Sequence, residues 1–197
     1  MSYKKQKRCM QSTKSTEDLL VERCKKKDSK AQQAVYEKYS GKLLSICKRY
    51  LNNQDAEDVM AMAFVKIFGK IHQFQHKGSF EGWMRRIVVN QCLAYLQKTK
   101  KRYLEVDIED AGYQDTQQTV VSSLQEEDLL TMIQSLPVGY RTVFNLYAIE
   151  GYSHKEVAKQ LKISEGTSKS QLSRARILLQ QKLKQVEKIK EVYHVGQ

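Results

Sequence analysis

Apolar residues recur every three or four positions through most of the chain, which is the spacing of amphipathic α-helices. The chain has a single proline, Pro137, and only nine glycines, so the pattern meets few interruptions. We therefore predict an all-α protein. The predicted helices start near Ser15, carry apolar stripes at 31–39 and 43–51, and continue at 55–71, 80–98, 124–136, 140–147 and 153–186.

The helical pattern stops after Tyr103 and resumes at Leu124. Between residues 105 and 128 the chain has eight acidic residues and neither lysine nor arginine. This composition is typical of a flexible linker, so the sequence predicts two small helical domains joined by a flexible acidic linker. The predicted boundaries are a disordered basic arm at 1–15, a first domain at 16–102, the linker at 103–124, a second domain at 125–186 and a tail at 187–197.

Residues 153–176 have the pattern of two short helices joined by a tight turn. Apolar residues line one face of the first helix as far as Leu161, and Ile163 lies at the turn. Ser164, or Glu165 just after it, is expected to cap the second helix because its oxygen can accept from free amides there. This is the pattern of a helix-turn-helix, whose second helix enters the major groove of DNA.

The outward positions of that second helix carry cationic, amide or hydroxyl groups, which are the groups that contact DNA phosphates and base edges. An ordinary αα-hairpin with a solvated basic face is the alternative. The fit of the apolar positions to the turn favours DNA binding. The candidate DNA-binding residues are Thr167, Ser168, Lys169, Gln171, Arg174 and Arg176.

The formal net charge is +12, which favours a polyanionic partner. The four cysteines form no C-x-x-C pair, so we expect reduced, structural thiols. No apolar run reaches the length of a membrane span, and the N-terminus lacks the apolar core of a signal peptide. We therefore expect a cytoplasmic protein. The arm at 1–15 is predicted to be a plain disordered tail, with a contact to the DNA backbone as the alternative.

Two sets of residues follow the motifs of one known family. In the first predicted domain they are Asp55-Ala56-Glu57-Asp58-Val59, Phe64, Lys66, Phe68, Phe80, Trp83, Arg86-Ile87 and Asn90. In the second they are Leu136-Pro137, Arg141, Val143-Phe144, Leu146, Glu150-Gly151, Ser153, Glu156-Val157-Ala158, Leu161, Ile163-Ser164, Gly166-Thr167, Lys169-Ser170, Leu172 and Arg174-Ala175-Arg176. Over about residues 17–184 the chain resembles a bacterial RNA polymerase sigma factor of the extracytoplasmic-function (ECF) group, in the sigma-70 family.

This resemblance implies a sigma factor that directs core RNA polymerase to promoters for transcription initiation and aids their melting. The implied partners are core polymerase, through its β′ clamp helices and β flap, promoter DNA and, as a further candidate, a membrane-associated anti-sigma factor. The implied clamp contacts are Asp55, Glu57, Asp58, Phe64 and Lys66. The implied contacts to the −10 element are Arg85, Arg86, Asn90, Lys98 and Lys100, and the helix-turn-helix residues given above would bind the −35 element.

The chain departs from the family pattern at several positions. Ala61-Met62 stands where a glutamine and an acidic residue are usual, so part of the clamp contact is expected to be apolar. Lys162 replaces the usual turn glycine, and Ser168 a usual valine. Gln171 replaces a usual arginine, which bears on base choice because glutamine pairs best with adenine and arginine with guanine.

Trp83 is expected to be a core residue, whereas Asn90 is expected to lie on the helix surface. Trp83 is expected to anchor the core, on the face shared with Ile87. Asn90, a polar residue among apolar ones, is either helix-surface filler or a base-reading amide, and the resemblance favours base contact.

Two other classes of function are alternatives to this one. A helix-turn-helix regulator that never joins polymerase would explain the second domain but not the pattern at 55–98. An enzyme acting on nucleic acid would need a site, and His72 and His76 have the i, i+4 spacing of metal ligands on a helix. No carboxylate completes a recognisable motif there, so we expect solvated histidines and neither catalysis, metal nor cofactor.

Overall fold

The computed structural model describes residues 15–103 and 126–194, apart from the side chains at 100–103, 126 and 187–194. Within these residues the chain is helical and has no strand, which confirms the predicted all-α class. The helices are α1 (Thr16–Lys25), α2 (Ser29–Tyr50), α3 (Asn53–Lys70), α4 (Phe80–Tyr103), α5 (Glu126–Gln134), α6 (Val138–Phe144), α7 (His154–Leu161) and α8 (Glu165–His194). A 3-10 turn, Ile71–Gln73, follows α3, and a π-helical turn, Asn145–Ile149, follows α6. None of the described helices combines the length and apolarity needed to cross a membrane.

Side-chain caps set where the first three helices begin. Ser15 and Asp18 cap α1 reciprocally: the Asp18 amide donates to the Ser15 hydroxyl at 3.1 Å, and the Ser15 amide donates to the Asp18 carboxylate at 3.0 Å. Asp28 caps α2. Asn52 caps α3 by accepting from the Asp55 amide at 2.9 Å. Because the cap is Asn52, α3 begins before the predicted start at residue 55.

A single helix, α2, replaces the two predicted at 31–39 and 43–51. It continues through Gly41, where nothing lies within 4 Å of the position that a Cβ would take. An internal glycine costs only about 1 kcal/mol relative to alanine. The apolar stripe keeps one helical phase across it and therefore outweighs that cost. The buried residues of α2 are Ala31, Val35, Tyr39, Leu43, Ile46, Cys47 and Tyr50.

The first half of the molecule is a core of four helices. α3 and α4 pack against α2 and against each other, and α1 contacts α2 and the 3-10 turn. Cys47 and Cys92 are buried there as free thiols. Their mutual hydrogen bond, together with burial, raises the pKa of the Cys92 thiol well above its usual range. The Cys92 thiol is therefore protonated at neutral pH.

The second half begins with α5, and α6 and α7 each pack against α8. Pro137 precedes the first residue of α6, where its missing amide is no loss. Gly151 lies after the π-helical turn with φ +78°, a left-handed conformation that favours glycine, and this agrees with the predicted end of that helix. α8 runs to His194, well beyond the predicted domain end at residue 186.

The two halves meet at the C-terminal end of α2, where α5 and α6 pack on it. Gln134 Nε2 donates to the Lys48 carbonyl at 2.9 Å, and Asn145 Nδ2 donates to the Arg49 carbonyl at 2.7 Å. Apolar contacts accompany these bonds. The residues of the second half that join the core of the first are Val143, Leu146, Val157 and Leu172.

Replacing Phe80 by alanine should destabilise the protein much more than the same change at Trp83. Phe80 is fully buried and its ring meets those of Tyr39 and Phe74, so its loss should lower the free energy of unfolding by about 3–5 kcal/mol. Trp83 is only half-buried, so its loss should cost about 1–2 kcal/mol. Urea unfolding followed by circular dichroism measures both values, and equal losses would contradict this assignment of burial.

Candidate nucleic-acid interface

The turn between α7 and α8 is built by local hydrogen bonds. Ser153 and Glu156 cap α7 reciprocally, with the Ser153 amide donating to the Glu156 carboxylate at 2.8 Å. Bonds from the Ser153 hydroxyl and amide lower the pKa of the Glu156 carboxyl. Ser164 accepts from the Thr167 amide at 2.9 Å, which confirms it as a cap of α8. Lys162 ends α7 in the left-handed region at φ +58°, where the family usually has glycine.

The outward face of α8 is cationic, as the sequence predicts. Lys169, Arg174 and Arg176 are exposed, whereas Thr167 and Gln171 are half-buried. Arg174 Nη1 donates to the Tyr140 hydroxyl of α6 at 3.2 Å, so its guanidinium is oriented before any ligand binds.

Gln171 lies between α8 and α6. The Gln171 amide nitrogen lies 3.5 Å from the position that a Cβ would take at Gly139, which is an ordinary van der Waals distance. The amide therefore lies beside the start of α6, at the border of the outward face of α8.

Ser168 does not belong to the outward face, contrary to the prediction. It is wholly buried, and its hydroxyl lies 2.9 Å from His154 Nδ1 of α7. The His154 ring in turn stacks on Tyr147 at 4.2 Å. The hydroxyl is tolerated in the position of a usual valine because the imidazole satisfies it.

A second surface lies at the start of α4. Arg86 and Asn90, four residues apart on one helix, are both exposed there. Beside them is an open pocket of about 350 Å³. It is lined by Gln73, Phe74, Gln75, Lys77, Gly78, Ser79, Gly82, Trp83 and Arg86.

The pocket depends on an aromatic cluster beneath it. The Trp83 ring stacks on Phe80 at 5.7 Å and lies 5.6 Å from Phe74. Trp83 is therefore both a packing residue and a wall of the pocket, where the sequence predicted a core anchor. Phe74 and Lys77 were not among the predicted site residues. They lie in the loop before α4, and the aromatic and basic residues of that loop were the available signal.

The other predicted −10 residues are placed differently. Lys98 is exposed further along α4, and the side chain of Lys100 lies outside the described residues. Arg85 points away from Arg86 and bonds to the Glu150 carboxylate of the second half. That bond raises the pKa of the Arg85 guanidinium. Glu150 had been noted in the sequence only as part of a family motif.

The predicted clamp residues of α3 do not all share one exposed face. Glu57 and Asp58 are exposed and Asp55 is half-buried. Phe64 is buried, with its ring 4.7 Å from Tyr36, so its assignment as a surface contact is corrected to a packing residue. Lys66 is half-buried and donates to the Gln91 amide oxygen of α4 at 2.7 Å.

Apolar side chains complete the outer face of α3. Met62 is 47% exposed and Val65 is 75% exposed. Met62 lies about one turn, and Val65 about two turns, beyond Asp58 on the same helix. The outer face of α3 is thus partly apolar.

The two histidines considered as metal ligands are separated by the local fold. His72 is exposed in the 3-10 turn, and His76 lies in the following loop at φ +56°. His76 Nδ1 is 2.8 Å from an oxygen of Asp18, which ties the loop to α1. Among the described residues no group of three or more histidines, cysteines or carboxylates is arranged to hold a metal ion.

Family models match both halves of the chain. The model of Sigma-70 region 2 matches residues 35–102, and that of Sigma-70, region 4 matches residues 126–179. Together they cover most of the chain, in the order that the two motif sets predicted. The chain belongs to the sigma-70 family of RNA polymerase sigma factors.

Relatives that this chain matches along nearly their whole length belong to one group within the sigma-70 family. The chain is 29% identical over 180 residues to the ECF RNA polymerase sigma-E factor of Haemophilus influenzae, covering 85% of this chain and 95% of that protein. It is 28% identical over 184 residues to the ECF RNA polymerase sigma-E factor of Escherichia coli K12, covering 87% and 96%. The predicted membership of the extracytoplasmic-function group is confirmed, and a regulator that never joins polymerase is not favoured.

A solved structure shares the fold. The sigma factor RpoE of Bartonella quintana, in its complex with the anti-sigma factor NepR, matches with a TM-score of 0.50 and 22% identity. The match covers 77% of this chain and 96% of that one. The arrangement of helices is thus one that this class of protein adopts.

Replacing Ser168 by alanine should destabilise the helix-turn-helix, whereas the same change at Ser170 should not. Without the Ser168 hydroxyl, His154 Nδ1 loses its hydrogen-bond partner. This loss should lower the free energy of unfolding by about 1–3 kcal/mol. Ser170 is exposed, so its change should stay within about 0.5 kcal/mol. Thermal unfolding of both variants measures this. A Ser168 variant as stable as wild type would contradict the buried pair.

Proposed function

We propose that this sigma factor divides one promoter between its two halves. α8 binds the −35 element, and α4 with the loop before it binds the −10 element as polymerase opens it. The observation that carries this proposal is that both halves expose cationic and amide groups on helices whose other faces are packed. On α8 these groups include Lys169 and Arg174, and on α4 they are Arg86 and Asn90. The two halves act as the domains proposed at 16–102 and 125–186.

On α8, the exposed cations and the half-buried amide have separate roles. Arg176 lies furthest from the start of the helix and contacts phosphate. Lys169 and Arg174 reach the major groove or its edges, with Arg174 oriented by Tyr140. Gln171 contributes a preference for adenine at one position, because its amide matches the adenine edge.

The pocket beside α4 suits an unstacked base. Single-stranded DNA is held by aromatic faces for its bases and by cations for its backbone. Phe74 and Trp83 supply the aromatic walls, and Lys77 and Arg86 supply the cations. Asn90, exposed one turn beyond Arg86, adds a base-reading amide. Lys98 and Lys100 extend the cationic path along α4.

The outer face of α3 binds the polymerase clamp. Glu57 and Asp58 offer charge, while Met62 and Val65 offer the apolar contact that a stable interface needs at its centre. Phe64 and Lys66 act indirectly, since they fix α3 against α2 and α4. The β flap of the polymerase is the proposed contact of the second half.

The partners follow from this assignment. They are core RNA polymerase, promoter DNA and an anti-sigma factor, the last because the relative of known structure from Bartonella quintana is bound by one. Catalysis belongs to the polymerase, and this chain supplies no catalytic residue, metal or cofactor. It acts in the cytoplasm, where polymerase and promoter are.

Adding the purified chain to core polymerase should produce transcripts from specific start sites on a genomic library. Replacing Lys169 or Arg174 by alanine should weaken binding to the upstream element. A lost base contact costs about 1–3 kcal/mol and changes sequence preference, whereas a lost phosphate contact weakens all sequences alike and reduces the salt slope by about one unit. Competition binding at several salt concentrations separates the two. Absence of specific transcripts would refute the proposed function, and unchanged binding by both variants would refute the assigned reading face.

Replacing Asn90 by alanine should impair promoter opening without affecting the fold or the binding of polymerase. Its amide is exposed, so the change in unfolding free energy should stay within about 0.5 kcal/mol. Permanganate probing of unpaired thymines measures opening, and a polymerase pull-down measures association. Gln180→Ala, which removes an exposed amide from α8, is the control. Wild-type opening and base preference in the Asn90 variant would remove it from the −10 site.

A further inference from the structure

A buried carboxylate connects the two halves of the molecule. The Glu150 side chain, directly after the π-helical turn, is only 4% exposed. Its Oε1 accepts from Arg49 Nη2 at 3.0 Å and from Arg85 Nη2 at 3.1 Å, and its Oε2 accepts from Arg85 Nε. Arg49 belongs to α2 and Arg85 to α4. One anion of the second half is thus shared by two cations of the first.

The two guanidinium groups form an anion site rather than a simple ion pair. Arg85 grips both carboxylate oxygens in the two-pronged geometry that arginine uses for carboxylates and phosphates alike. Arg49 Nε is buried and has no acceptor among the described residues, so the site keeps a spare donor. Two cations facing one carboxylate leave a net positive charge. A phosphodiester of the DNA backbone also carries one negative charge on two unbridged oxygens, so it can accept from the same donors.

The contacts of Glu150 with Arg49 and Arg85 hold the two halves together. In this closed arrangement one chain cannot bind both promoter elements. Elements centred at −10 and −35 lie about 25 base pairs apart, or roughly 85 Å at 3.4 Å per base pair. A compact chain of this length has a radius of gyration of about 16 Å. The halves also touch beyond the pair, with Gln97 Nε2 3.3 Å from the Gln160 carbonyl. They must therefore separate before one chain can contact both elements.

We propose that Arg49 and Arg85 form a binding site for a promoter DNA phosphate, and that Glu150 occupies this site in the closed form. The proposal rests on the proposed sigma function and adds a regulatory step to it. While Glu150 fills the site, the halves stay together. When they part, a phosphate next to the −10 element takes its place. Because Arg85 is the neighbour of Arg86 on α4, that phosphate adjoins the base pocket. Exchange of one oxyanion for another keeps both arginines paired in each state.

The test compares three variants of the full chain. Glu150→Gln removes the competing charge. Arg85→Gln with Glu150→Gln removes the competitor and half of the proposed site. Glu127→Gln is the control, because it removes an exposed carboxylate from α5 of the same half. Small-angle X-ray scattering measures the radius of gyration, and fluorescence anisotropy measures binding of a labelled single-stranded oligonucleotide.

The Glu150→Gln variant should be more expanded than wild type and should bind the oligonucleotide roughly tenfold more tightly. This is the factor expected when the open form, which is competent to bind, rises from about a tenth of the population to most of it. The salt dependence of its binding should steepen by about 0.7 units, since one further phosphate is neutralised on a single strand. The double variant should be equally expanded but lose most of the gain in affinity. Glu127→Gln should match wild type in both measurements.

Two results would overturn the proposal. One is a Glu150→Gln chain with the radius of gyration and the affinity of wild type. The other is a gain in affinity that the double variant keeps in full, since the bound phosphate would then lie elsewhere.

If Glu150→Gln fails to fold, a pair of variants that exchanges the charges at positions 85 and 150 still tests the proposal. Arg85→Glu alone places two carboxylates together and should open the chain, and adding Glu150→Arg should close it again without restoring oligonucleotide binding. If the double variant Arg85→Glu, Glu150→Arg is as expanded as Arg85→Glu alone, the proposal that these two side chains hold the halves together is refuted. Transcription by the wild-type chain with core polymerase tests the sigma function separately, because it depends on neither the radius of gyration nor the gain in affinity.

Discussion

The apolar stripe along α2 is the feature on which the rest of the structure depends. α1, α3 and α4 pack against it, and α5 and α6 meet its C-terminal end. Tyr39, Leu43 and Tyr50 are wholly or almost wholly buried, so a rotation of α2 would expose aromatic and aliphatic surface along its length. At about 25 cal/mol per Å² of apolar area, such exposure is prohibitive for one helix of a small domain. The orientation of α2 therefore fixes which faces of α3 and α4 remain outside.

Polar groups at the boundary between the halves make their contact specific. An apolar seam alone would tolerate sliding, whereas Asn145 and Gln134 must reach particular carbonyls of α2. Glu150 must also find both arginines, because a buried carboxylate without partners would carry a large desolvation cost. Such an interface is well defined in geometry, and each of its charged groups could equally be satisfied by another ion or by water.

The helix-turn-helix depends on two local compensations. Lys162 takes a left-handed conformation that glycine adopts without strain, and the caps on either side of the turn hold it there. Ser168 stands in a buried position and is accommodated through His154. Both departures from the family pattern thus alter the support of α8 and leave its outer face cationic.

The sequence by itself determined the helical class, the helix-turn-helix with its Ser164 cap, and the exposed cations of α8, because these depend on residue spacing within one element. Only the tertiary structure decided that α2 is one helix through Gly41, since burial of its apolar stripe against α3 and α4 outweighs the small cost of an internal glycine. It also decided that Phe64 and Ser168 are buried, because helical period assigns a face but does not say how far a neighbouring helix extends over it. The pairing of Arg85 with Glu150 links residues 65 positions apart. No periodicity within either segment carries that information, so the contact required the fold.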